Sequence, residues 1–102
     1  MYTYREIHNT FIEMYDDEMF SKDVRRLWDP LLLRSLQVGE FTFEWTNCEV
    51  VKHGGIKKAR YYILRNQLKD AGLIEYQSIQ GSSRIIYTLI HVPVKEEGRS
   101  SN

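Results

Sequence analysis

The chain has 102 residues, 42% of them hydrophobic, with 14 basic against 14 acidic side chains and a formal net charge of zero. That length fits one domain with an ordinary core, which needs neither disulfide nor metal to hold it, and the single cysteine, Cys48, excludes an internal disulfide and fits a reducing, cytoplasmic setting. No apolar run approaches the roughly 20 residues that span a bilayer, and the first residues, Met1 to Glu6, lack the basic and apolar regions of a secretory leader.

Tyr4, Ile7, Phe11, Met14 or Tyr15, and Met19 recur at helical spacing and predict an amphipathic helix from Tyr4 to Phe20. Asp16, Asp17 and Glu18 fall near its end, where the helix dipole disfavours acids, so the last turn is expected to fray or the helix to stop earlier. Ser21 reads as the N-cap of a short helical stretch from Lys22 to Trp28. Asp29-Pro30 then reads as a restart, because Asp can cap and Pro suits a first helical position, where its missing N–H has no partner to lose. Leu31, Leu32, Leu33 and Leu36 make the following helix very apolar, and it ends near Gly39.

Phe41 to Trp45 alternates apolar and polar residues, as a half-buried strand does. Thr46 followed by Glu49 has the form of a capping box and predicts a short helix from Asn47 to about His53, closed by the turn Gly54-Gly55. A further helix is expected from about Ile56 to Ala71, with Gly72 just past its end. Two strands follow, Leu73 to Ser78 and Arg84 to Ile90, joined by a polar hairpin tip from Gln80 to Ser83. Residues 1–92 thus read as one α+β domain and residues 93–102 as a frayed tail. Trp28 and Trp45 read as core residues, and Cys48 as a small core residue.

The neutral total hides a split. Five bases against ten acids leave the part from Met1 to Val51 at −5, whereas seven bases against two acids leave Lys52 to Arg84 at +5. This predicts one acidic and one electropositive face. At about 100° per residue, Tyr61, Leu64, Leu68 and Ala71 share the inner face of the helix before Gly72. Lys58, Tyr62, Arg65, Asn66 and Lys69 share the other. Lys and Arg suit phosphate or guanine, and Asn pairs with adenine in bidentate fashion.

The stretch GIKKARYYILRNQLKDAGLIEY that begins at Gly55, with the hairpin after it, resembles the recognition helix and wing of winged helix-turn-helix proteins. The resemblance covers Phe41 to Ile90 and rests on Ile56, Tyr61, Leu64, Leu68 and Gly72-Leu73-Ile74. Small viral, phage or plasmid regulators and replisome organisers are closest in pattern. Two positions depart from it: Lys57 stands where Ser or Thr is usual at the helix start, and Arg60 where a small polar residue precedes Tyr61. The resemblance implies a winged helix-turn-helix fold with extra N-terminal helices, and binding of double-stranded DNA. The expected contacts are Lys57, Lys58, Tyr62, Arg65, Asn66 and Lys69, with Arg84 reaching from the wing to an adjacent groove or backbone.

The expected role is transcriptional regulation. Replication initiation or replisome loading, and a winged helix used only for protein contact, are the alternatives. A homodimer is expected, because one helix reads few base pairs; its seam is either Ile7, Phe11 and Met14 on the first helix, or elsewhere if those residues pack on their own domain. The acidic half could dock a partner protein. His8, His53 and His91 have no ligand spacing to Cys48, and no catalytic set or phosphate loop is present, so no metal, cofactor or enzymatic activity is expected.

Overall fold

Thr3 starts the first helix, α1 (Tyr4–Asp16), in a computed structural model that describes residues 3–90. Its hydroxyl accepts from the Glu6 amide while the Glu6 carboxylate accepts from the Thr3 amide, a reciprocal cap. The helix stops at Asp16, short of the predicted Phe20. Glu18 takes a left-handed φ of 61°, and the amides of Glu18 and Met19 turn back onto the carbonyls of Tyr15 and Met14. That pattern satisfies the last carbonyls and leaves Met19 exposed beyond the end.

The predicted break at Asp29-Pro30 is absent. One helix, α2 (Arg25–Val38), runs through Pro30 and closes at Gly39. Pro30 has no N–H for the carbonyl of Arg26 four residues earlier. The Gly54 backbone lies against that carbonyl, so closely that a Cβ on Gly54 would sit 2.2 Å from its oxygen. Ser21 is not the cap foreseen for this region: its hydroxyl accepts from Gln67 Nε2 at 2.7 Å, and Val24 occupies the N-cap position of α2.

The remaining elements are β1 (Thr42–Thr46), α3 (Asn47–Gly54), α4 (Lys58–Asp70), β2 (Ile74–Ser78) and β3 (Arg84–Leu89). The strands form one antiparallel sheet in the order β1-β3-β2. Register places Phe43 opposite Tyr87 and Trp45 opposite Ile85, so these inward residues share a face and meet the helices. Tyr76 pairs with Tyr87 on the other side of β3. The molecule is therefore α+β, with four helices and a three-stranded sheet among the described residues. The expected tail, 93–102, and His91 lie outside them.

Phe11 stacks on Trp28 with ring centroids 4.8 Å apart, and the Trp28 indole N–H donates to His8 Nδ1. Ile7, Phe11 and Met14 are at most 2% exposed. This decides the dimer seam against α1: these side chains are committed to the chain's own core. Cys48 also departs from expectation. It lies on the exposed side of α3, while Val50 supplies that helix's buried contact. The cap of α3 is as foreseen, the Thr46 hydroxyl accepting from the Glu49 amide. The Glu49 carboxylate turns instead to the Trp45 indole N–H at 3.1 Å.

Candidate nucleic-acid interface

α4 is anchored on its inner face and on both flanks. Tyr61, Leu64 and Leu68 are fully buried. On one flank, Arg60 donates two hydrogen bonds of 2.7 Å to the Asp23 carboxylate, and Gln67 reaches Ser21. These contacts tie α4 to the segment that leads into α2. The Arg60 hydrogen bond is the main reason the Asp23 carboxyl lies below its ordinary range. A depressed native pKa stabilises the fold above the unfolded value, and this contribution fades as pH falls through the native one. Asp23→Asn should therefore lower the melting temperature near pH 7, and by less below about pH 3. Parallel melting-temperature profiles for the two proteins would show that the pair has no pH-linked effect.

The other flank is a cluster of tyrosines around Arg65. The guanidinium carbon lies 4.0 Å from the Tyr76 ring centre and 5.0 Å from that of Tyr62. Arg65 Nη1 donates to the Tyr61 hydroxyl at 3.4 Å, and that hydroxyl is also hydrogen-bonded to Tyr87. Burial pushes the Tyr87 phenol up, and no carboxylate pairs with Arg65 among the described residues. The faces of the rings supply the partner instead, through their negative quadrupoles. Tyr76 also donates its hydroxyl to Asn66 Oδ1 at 3.0 Å, which fixes the orientation of that amide.

The face left over is the outward one. Lys58, Ala59, Tyr62, Ile63 and Asn66 are exposed along it. Lys57 occupies the N-cap position and forms no side-chain cap. The first amides of α4 thus lack a capping oxygen and lie beside two lysines, and a helix start of this kind favours an anion.

Of the residues expected to contact DNA, Lys57, Lys58, Tyr62 and Asn66 are brought to this exposed end and face. Three expected contacts are already engaged. Arg65 is half-buried in the tyrosine cluster and does not project freely. Lys69 pairs with Glu75 at 3.3 Å, and Arg84 with Glu44 at 2.9 Å across the sheet. Exposed pairs of this kind are worth about 0–1 kcal/mol, so a phosphate could draw either base away at little cost. Arg65 has no such freedom.

The exposure of Ile63 and the partner of Arg60 escaped the sequence reading. Ile63 is 48% exposed, and its position about 100° from Leu64 on the wheel places it off the inner face. Arg60 has its partner 37 positions away in the chain, and no local pattern announces that pair. With Arg60, Lys69 and Arg84 in ion pairs, the bases from Lys52 to Arg84 that enter none among the described residues are Lys52, Lys57, Lys58 and Arg65, the last held against the tyrosine rings.

Among the described residues no three His, Cys, Asp or Glu side chains group as metal ligands, and no helix is long and apolar enough to cross a membrane. Comparison of the chain with protein-family models, with curated proteins and with solved structures finds no match.

Proposed function

We propose that this chain is a double-stranded DNA-binding protein of winged-helix build that acts as a transcriptional regulator. In this reading α4 enters the major groove and the β2–β3 hairpin is the wing. The element order α2, β1, α3, α4, β2, β3 follows the winged-helix layout, with α1 added in front. The observation that carries the reading is the start of α4. Lys57 stands where a capping residue belongs and forms no side-chain cap, and it and Lys58 are both exposed at the start of the helix. A cap that serves the fold alone would be Ser, Thr, Asp or Asn.

The test separates stability from binding. Lys57→Ser should raise unfolding stability by about 1 kcal/mol through a new cap. The same change should weaken duplex binding and reduce the salt slope of log affinity by about 1. Lys58→Ala should reduce that slope to the same extent, while Glu13→Ala on α1 should leave binding unchanged. Thermal melts and fluorescence anisotropy with a labelled duplex at several salt concentrations measure both effects. Unchanged affinity in a folded Lys57→Ala, Lys58→Ala double variant would remove the DNA reading.

A second reading has its own observation. Leu33 and Leu36 on α2 are 54% and 49% exposed, an apolar strip that suits a protein partner or a second copy. It would stand in place of the α1 seam that the core excludes. If the lysine variants bind duplex unchanged, a winged helix used for protein contact takes the place of the first reading.

A further inference from the structure

We infer that the outward face of α4 reads A·T base pairs, taking thymine methyl groups on Ala59 and Ile63 and an adenine edge on Asn66. This rests on the proposed DNA-binding role and names the class of site that role would select.

Guanine is most often read by a bidentate arginine in the major groove. Both arginines of α4 are engaged inside the protein, Arg60 by the Asp23 carboxylate and Arg65 by the tyrosine rings. Arg60 would have to give up two short charge-assisted bonds to reach a base. Lys57 and Lys58 lie at the first turn, where the phosphate role falls to them.

What the helix offers before its last turn, where Asp70 is exposed, is apolar and amide surface beside the Tyr62 ring. Ala59 and Ile63 are one turn apart, and both are exposed. Ile63 leaves 48% of its surface open on this face, beside the methyl of Ala59. The apolar feature in the major groove that such side chains match is the thymine C5 methyl. Asn66 lies on the same face, and its oxygen already accepts from Tyr76. A carbonyl oxygen has two lone pairs. The second remains for the adenine N6 donor, and the amide nitrogen for N7. Tyr76 is the positioning residue here, since it holds the amide in the orientation that adenine needs.

Four labelled hairpin duplexes test this, with stems of alternating A·T, G·C, I·C and A·U pairs. An I·C pair carries the minor-groove face of A·T and the major-groove face of G·C. An A·U pair differs from A·T by the methyl alone. The A·T stem should bind tightest, and the G·C and I·C stems roughly tenfold more weakly or worse. The A·U stem should lose about fourfold for each contacted methyl. Ile63→Ser, a change at an exposed position, should shrink the gap between A·T and A·U without altering binding to G·C. Asn66→Ala should narrow the gap between A·T and G·C. Equal affinity for A·T and I·C, for A·T and A·U, or for all four stems overturns the inference while DNA binding stands. An undiminished methyl gap in Ile63→Ser also overturns it. Binding to none of the stems at low salt removes the DNA-binding reading itself, and the inference with it.

Discussion

Leu68→Ala should lower the unfolding free energy by about 2–5 kcal/mol, since it removes buried methyl groups and leaves a cavity. Leu68 is fully buried in the core beside Tyr61 and Leu64. Its carbonyl also accepts from the Leu73 amide at 3.0 Å, where the chain turns from α4 into β2. The site is thus pinned by the helix end as well as by packing, and has little freedom to collapse around the lost side chain. The internal control is Ile63→Ala on the outward side of the same helix, which should stay within about 0.5 kcal/mol of the parent. Urea denaturation of both variants measures the difference. Equal midpoints for Leu68→Ala and Ile63→Ala would show that α4 packs by another face.

Gly54→Ala should reverse the usual sign of its class. Alanine in place of glycine inside a helix ordinarily gains about 1 kcal/mol. Here the new methyl would meet backbone, 2.2 Å from the Arg26 carbonyl oxygen and 3.1 Å from its carbon. A flexible side chain could swing away, but a helical carbonyl cannot. The helices α2 and α3 would have to part, at a net cost of about 1–3 kcal/mol. Under the proposed DNA-binding role, duplex binding should weaken too, because Gly54 and Gly55 lead from α3 into α4. Gly55→Ala is the comparison. Its φ is 64°, with nothing within 4 Å of an added Cβ, so it should cost only about 1 kcal/mol for the left-handed backbone. If Gly54→Ala melts at or above the parent temperature, the close approach of the two helices is wrong.

The sequence made most elements legible because their signals are local. Phe43 and Trp45 alternate with polar neighbours and do form the inner face of β1. Thr46 caps α3, and the spacing of Tyr61, Leu64 and Leu68 defines the buried side of α4. The break placed at Pro30 is absent, and the neighbour of the affected carbonyl is non-local. The carbonyl that Pro30 leaves without an amide faces the backbone of Gly54, on a different helix. Periodicity also could not tell whether Ile7 and Phe11 face a second copy or their own domain; that depended on Trp28 arriving beneath Phe11.

The candidate site was legible in part, for the same reason. A helical wheel separates inside from outside, and it placed Lys58, Tyr62 and Asn66 correctly outside. It cannot show which outward charges find partners from other elements. Arg65 met Tyr76, Lys69 met Glu75, and Arg84 met Glu44. Each of those meetings is made by the sheet, whose strand neighbours are not written in any single segment. The acidic and basic halves are similarly not two separate faces, since Asp23 and Glu44 from the first half neutralise Arg60 and Arg84 from the second.

The place of β3 in the sheet has a consequence for how the chain matures. It is the middle strand, yet it comes last of the described elements, and β1 and β2 each pair with it. A nascent chain emerging from the ribosome would therefore hold β1 with no neighbour while α3, α4 and β2 were being made. Phe43 and Trp45 would wait without the strand that sets their register. The α1–α2 pair needs no such delay, because Phe11 and Trp28 are both early in the chain. Maturation then divides into a helical bed laid down during synthesis and a sheet that closes in one late step, once Leu89 is free. A ribosome that stalled before Arg84 would release a chain with β1 and β2 both unpaired, a species prone to pair with its own kind before it could be cleared.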